Sequence, residues 1–121
     1  MQRRHRLVRN RDFEEVHRHG RSWAHTLLVL RAQANGLAHS RFGFVVGRHI
    51  GKAVFRNRVK RRLREAVRAR LQHIASGWDV VLIARPPIAS APFAQIVEAL
   101  DSLLARAGLC QSGSATPEAS G

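Results

Sequence analysis

Cysteine is nearly absent. Cys110 stands alone in 121 residues, which excludes an internal disulfide framework and any zinc site built from several cysteines. Long apolar runs are missing too. The longest, Leu27–Leu30 and Val80–Ala84, fall far short of a bilayer span. The basic start Gln2-Arg3-Arg4-His5-Arg6 leads into no apolar core of signal-peptide length. The expectation is a soluble cytoplasmic protein that spans no membrane. Acidic residues are scarce: 8 Asp+Glu stand against 21 Lys+Arg, a formal net charge of +13. Lysine is scarce among the bases, with only Lys52 and Lys60 beside 19 arginines. Such a charge admits nucleic acid, an acidic membrane surface or an acidic protein as partner. Arginine forks phosphates and stacks on bases, which favours nucleic acid.

What is present is enough for one domain. Hydrophobic residues make up 45% of the chain, so most of it is expected to fold around a single modest core. Residues 1–109 read as that domain. Residues 110–121 read as a disordered tail, since the stretch from Gln111 is rich in Ser, Gly and Ala and has no periodic apolar face. The charge is uneven. Residues 1–70 carry 19 basic and 4 acidic side chains, whereas 71–121 carry 2 and 4. Gly51–Arg70 is densest, with nine basic residues opposed by Glu65 alone.

Periodicity outlines the elements. Asn10 is placed to cap a first helix with Phe13, Val16 and His17 on one face, ended by Gly20. Trp23–Gln33 reads as a strand whose first residues, Ser22–Ala24, are open to forming a separate short strand. Asn35-Gly36 signals a turn. Ser40–Val46 reads as the next strand, with Phe42, Phe44 and Val46 on one face and Gly43 and Val45 on the other. The turn between these strands suggests an antiparallel hairpin. A long helix is expected from Ala53 to Ala75, with Phe55, Val59, Leu63, Val67, Leu71 and Ile74 as its buried stripe. Trp78–Ala84 follows Gly77 as an interior strand. Ser90 and Pro92 open a last helix, with Phe93, Ile96, Val97, Leu100, Leu103 and Leu104 buried and Gly108 as its stop. The order α-β-β-(β)-α-β-α makes an α+β protein, a small two-layer sandwich.

On a helical wheel Asn57, Lys60, Arg61, Arg64 and Arg68 share the face opposite the apolar stripe, with Arg58 and Arg62 on its flank. A solvated face normally mixes signs for i,i+4 pairing. This one stacks like charges, which repel unless an anionic ligand neutralises them. Asn57 to Arg68 spans ~16 Å of helix, a length that phosphates along a strand match. A helix-turn-helix needs two helices joined tightly, and this helix lies between strands. The order also differs from an RRM. Composition and pattern stop at a nucleic-acid binder.

The run Gly51-Lys52-Ala53-Val54-Phe55-Arg56-Asn57-Arg58-Val59-Lys60-Arg61-Arg62-Leu63-Arg64-Glu65 resembles the Arg-Asn-Arg signature of the bacterial ribonuclease P protein component. Arg6-Leu7 and Asp12-Phe13 with Val16 and Gly20 are similar to that family's first helix. Arg41–Val46 and Trp78–Arg85 are similar to the strands flanking its motif. The resemblance covers about Arg6–Leu109. It implies a protein subunit of ribonuclease P, which binds a large catalytic RNA and the 5′ leader of precursor tRNA. The holoenzyme removes that leader to give the mature 5′ end. The RNA does the chemistry with divalent metal (Mg), held mainly by RNA. No catalytic residue and no protein-only metal site are expected on the chain. By the same resemblance Lys52, Arg56, Asn57, Arg58, Lys60, Arg61, Arg64 and Arg68 face the RNA subunit, and the βαβ crossover over the helix is left-handed, against the usual rule.

The resemblance further implies a leader cleft between the first helix and the sheet, lined by Phe13, His17, Val29, Arg31, Val45 and Arg48. Single strands bind by stacking on flat groups together with backbone charge, and Phe13 and His17 lie one turn apart. Phe13 is equally open to being a core residue. His17 stands where the family often has Phe, Arg31 where Tyr occurs, Val45 where Ser or Thr is usual, and Arg48-His49 where a Lys pair is common. Other candidates are thinner. His17, His19 and His25 lack carboxylate or cysteine partners at ligand spacing. Asp12, Glu14 and Glu15 suit the first helix's dipole better than catalysis. Cys110 has no expected role. A non-enzymatic RNA-binding or ribosome-associated protein is the alternative reading. A protein-only nuclease is the third, and it lacks clustered carboxylates near the basic face.

Overall fold

The most apolar strand of the chain takes the middle of the sheet, and the other elements are arranged around it. In the computed structural model, which describes residues 2–110, helix α1 (Asn10–His19) precedes strands β1 (Arg21–Ala24), β2 (Leu28–Ala34) and β3 (Arg41–Val45). Helix α2 (Ala53–Arg68), strand β4 (Trp78–Ala84) and helix α3 (Phe93–Arg106) follow. The four strands form one sheet in the order β1-β2-β4-β3. The strand Trp23–Gln33 thus splits, and its two parts make the antiparallel hairpin β1-β2.

The expected β2-β3 hairpin does not form. β4 inserts between the two strands, antiparallel to β2 and parallel to β3. Val80, Val81 and Leu82 are all buried, so β4 is apolar on both faces, as suits an inner strand covered by helices from both sides. The loop from Asn35 to Ser40 straddles the start of β4. Asn35 N–H donates to Gly77 O at 2.9 Å, and the Ser40 hydroxyl donates to Ala75 O at 2.7 Å while accepting from Trp78 N–H at 3.0 Å. Asp79 completes the junction. Its carboxylate accepts from Arg41 Nε at 2.8 Å, from the Arg41 terminal nitrogen at 2.7 Å, and from Asn35 Nδ2 at 2.9 Å.

The main core lies on one face of the sheet. Leu28, Leu30, Phe42, Val80 and Leu82 meet Val59, Leu63 and Val67 of α2 and Ile96, Leu100 and Leu103 of α3. That is the expected two-layer sandwich. α1 covers part of the opposite face, where Val16 packs with Leu7, Val81 and the partly buried Phe13 and Ile83.

Several local expectations shift. Arg9, not Asn10, occupies the N-cap of α1, and no side chain caps it. Gly20 ends α1 in extended backbone (φ −74°), not left-handed, and is required by space: a Cβ there would lie 2.4 Å from Val16 O. α2 ends at Arg68 and does not run on to Ala75. Beyond it the chain turns back so that Ile74 bridges Cys110 and Ala75 N–H reaches Leu109 O at 2.7 Å. Backbone pairing thus reaches Cys110, the first residue of the expected disordered tail, and the rest of that tail, residues 111–121, lies outside the described residues. Phe55 and Phe93, assigned to buried stripes, are 41% and 40% exposed. Both sit in the first turn of their helix, ahead of the residues that meet the sheet.

Hydrogen bonds donated to Asp79 hold the Arg41 guanidinium above the usual arginine pKa, against burial and with help from the charges of Asp79 and Asp12. A raised guanidinium contributes stability throughout neutral pH and loses it only as pH climbs beyond the arginine range. Asp79→Ala leaves Arg41 and Asn35 without their shared acceptor. The expected loss is about 3 kcal/mol, seen as a lower urea midpoint at an unchanged slope. A loss under ~0.5 kcal/mol would place the contact among ordinary surface ion pairs.

Candidate nucleic-acid interface

α2 is anchored from one side and charged on the other. Val59, Leu63, Ala66 and Val67 are buried, and each fully buried Leu or Val contributes ~1.5–3 kcal/mol. Arg, Leu, Ala and Lys are favourable helix formers, so the sequence supports the helix locally as well. Asn57, Arg58, Arg61, Arg64 and Arg68 are exposed, while Arg56, Lys60 and Arg62 are half-buried. Lys52 is exposed at the N-cap, just after the left-handed Gly51 (φ 142°). Within α2 one carboxylate faces these cations: Glu65 accepts from Arg68 one turn on. Arg61 and Arg64 have no carboxylate partner among the described residues. Arg56 Nε is buried without a hydrogen-bond partner among them.

The second surface lies between α1 and the sheet. A cavity of about 370 Å³ is lined by Phe13, Glu14, His17, Arg31, Val45, Val81 and Ile83. The structure thus brings together four of the six residues assigned to a leader cleft. Val29 is set beside it, paired in register with Ile83 on the same sheet face. Arg48 is not part of the lining; it is exposed in the 3-10 turn Arg48–Ile50 that follows β3. Glu14, Val81 and Ile83 were not among the expected lining residues. Val81 and Ile83 follow from period two along β4 once its neighbours are known. Glu14 carries no sequence signal beyond its place on α1, one turn before His17.

Arg31 has a more specific task than stacking. Its terminal nitrogen donates to His17 O, and to Gly20 O at 3.3 Å, so it closes the carbonyl end of α1 and ties it to β2. Its Nε is buried without a partner among the described residues. Phe13 is both core and lining. Its ring packs over Gly43, where a Cβ would lie 2.5 Å from two ring carbons. Gly43 therefore leaves the room that the edge of the Phe13 ring occupies.

Phe13 also lines a second cavity of about 300 Å³, with Arg6, Leu7, Gly43, Phe44, Lys60 and Arg64 among its other walls. The apolar cleft on one face of the sheet and the cationic helix on the other therefore meet around the β3 edge, with one ring between them. Among the described residues no three His, Cys, Asp or Glu side chains gather into a group able to hold a metal ion. No described helix is long and apolar enough to cross a membrane.

A family model described as Ribonuclease P matches residues 1–108. The ribonuclease P protein component of Roseiflexus castenholzii is 44% identical over 120 residues, covering 98% of each chain. That of Herpetosiphon aurantiacus is 44% identical over 109 residues, covering 90% of this chain and 89% of its own. Among solved structures, the Staphylococcus aureus RNase P protein superposes with a TM-score of 0.82 at 32% identity, over 88% of this chain and 97% of that one. The Thermotoga maritima protein gives 0.78 at 36% identity, over 84% and 96%.

Gly43→Ala tests the seat of Phe13. The added methyl must displace the ring, at an expected cost of ~1–3 kcal/mol in chemical denaturation. Pairing it with Phe13→Ala should remove most of that cost, because the only other neighbour within reach, Leu7 Cβ at 3.3 Å, needs to give by just a few tenths of an ångström. Full additivity of the two losses would show that the contact does not set the position of α1.

Proposed function

The chain belongs to the ribonuclease P protein family, and from its geometry we propose how it meets RNA. Its role is that of the protein subunit of a ribonucleoprotein endoribonuclease in tRNA processing, and an RNA molecule is its partner in that assembly. In our reading the face of α2 made by Asn57, Lys60, Arg61, Arg64 and Arg68, with Lys52, Arg56 and Arg58 near its start, lies along the phosphates of the RNA subunit. The cleft under α1 receives the single-stranded 5′ leader of precursor tRNA. Bases sit against Phe13 and His17 between walls supplied by Arg31, Val45, Val81 and Ile83. Val29 and Arg48 lie at its margins.

The observation that carries this reading is the sharing of Phe13 by the apolar and the cationic cavity. A strand whose bases enter the apolar cleft needs its phosphates met nearby by cations, and Arg6, Lys60 and Arg64 stand on the other side of that ring. Hydrolysis of the phosphodiester is assigned to the RNA, with magnesium held mainly by RNA groups. The protein contributes grip and alignment, which raise effective concentration at the cleavage point. The reaction is placed in the cytoplasm. A ribosome-associated RNA-binding protein is not favoured, since the matched relatives are ribonuclease P components.

Two measurements test the two surfaces. In the Arg61→Ala, Arg64→Ala, Arg68→Ala triple variant, each lost phosphate contact lowers the log–log salt slope of RNA-subunit binding by ~0.7–0.9. Arg68 should contribute least, because Glu65 already engages it. A folded triple variant with unaltered affinity and slope would remove α2 from the interface. For the cleft, Phe13→Leu keeps an apolar side chain on the sheet and loses the flat face. In the reconstituted holoenzyme it should weaken precursor tRNA by ~1–3 kcal/mol and leave mature tRNA, which lacks the leader, unchanged. Equal losses for both would reject the leader assignment and leave the α2 reading standing.

A further inference from the structure

The chain has only five phenylalanines. Phe42 is buried and Phe13 and Phe44 are half-buried. The remaining two, Phe55 in the first turn of α2 and Phe93 at the first residue of α3, are exposed. A single exposed apolar side chain is ordinary and needs no explanation. These two are not isolated. The Arg58 guanidinium lies over the Phe55 ring, 5.6 Å from its centroid. Arg58 also lines an open depression of about 440 Å³ together with Arg61, Arg62, Glu65 and Phe93. Arg58 thus lies both against the Phe55 ring and on the wall of the depression that Phe93 lines.

The arrangement is held in place. Arg62 donates to Ala91 O at 3.4 Å, which ties the middle of α2 to the turn before α3 and keeps Phe93 beside the cations. Glu65, the only acid at the depression, is engaged by Arg68. Arg58 and Arg61 have no carboxylate partner among the described residues. Flat rings among unneutralised guanidiniums differ from the mixed-sign surface that water alone favours. They match what a nucleotide requires: a π-face for the base and cations for the phosphates on either side. The depression falls within the ~300–1,000 Å³ range of small-ligand sites, so it is large enough for a base.

We propose that Phe55, Arg58 and Phe93 form a stacking site for an unpaired nucleotide of the RNA subunit, extending the RNA face from α2 onto the start of α3. The proposal rests on the α2 reading and adds a residue from a third helix that no charge pattern points to. The occupant is RNA, not an apolar protein surface, because the cations that rim the rings complement phosphate.

The test measures affinity for the RNA subunit alone, without tRNA, across a range of salt. Phe93→Leu and Phe55→Leu keep an apolar side chain and remove the flat face. Each is expected to weaken binding about 5- to 150-fold at every salt concentration with the slope unchanged, since no charge is lost. Phe93→Trp should bind like the parent. Chemical probing of the complex should show one unpaired nucleotide protected by the parent and by Phe93→Trp but exposed with Phe93→Leu. Melting temperatures should stay close to the parent value, because both rings are at the surface. Parental affinity in both Leu variants, with the Arg61 and Arg64 variants still weakened, overturns the stacking site and leaves α2 on the RNA. Loss of affinity in none of these variants overturns both. A Leu variant that binds RNA like the parent but no longer self-associates in sedimentation would assign the patch to protein contact and also overturn the proposal.

Discussion

The placement of β4 between β2 and β3 is the constraint on which the rest of the molecule depends, and Asp79 is its polar anchor. One carboxylate joins Arg41 of β3 to Asn35 at the end of β2, two elements that share no ladder. The sheet face that carries Gly43, Val81 and Ile83 exists only because these strands are neighbours in this order. Asp12 on α1 lies 3.6 Å from Arg41 as well, so the network that sets the sheet also reaches the helix lying across it. The polar junction is thus coupled to the position of the apolar cleft.

Two surfaces of opposite character lie on opposite faces of the sheet. The cleft is lined mainly by carbon; of its polar side chains Arg31 holds the end of α1, and the Glu14 carboxylate repels phosphate. Bases are therefore better suited to it than backbone. α2 is the reverse, a cationic surface fixed by a deeply buried opposite side. The two meet at the β3 edge, where Phe13, Lys60 and Arg64 come within one short groove. The apolar lining therefore gives way to cations at that edge with no gap between them.

Much of this was legible in the sequence because it is encoded locally. The alternation of Phe42, Phe44 and Val46, the spacing of Val59, Leu63 and Val67, and the like-charged face opposite them all follow from a fixed period. What depends on distant partners was not legible. Asn35-Gly36 between two apolar runs is a hairpin signal, yet β4, some forty residues on, displaces it. Only the doubly apolar character of Trp78–Ala84 hinted at a central strand. Phe55 failed for a geometric reason. Steps of four residues advance by ~40° around a helix, so a run from Phe55 to Val67 drifts across the face and its first member leaves the core. The cleft was found in part through family resemblance, and its β4 wall was missed because strand order fixes it.

β3 is an edge strand, and among the described residues its outer side is paired only at the bridge between Arg6 and Phe42, with Leu7 N–H donating to Phe42 O at 2.9 Å. An open edge of this kind invites a second copy to add its own strand, the usual first step of aggregation. Here Arg6, Lys60 and Arg64 stand along that edge, and a second copy approaching it would bring the same three charges. Repulsion between identical copies opposes that pairing, whereas a polyanion is drawn to the same charges. The cations of the proposed RNA face thus double as gatekeepers against strand addition, and replacing them with neutral residues would weaken that protection as well.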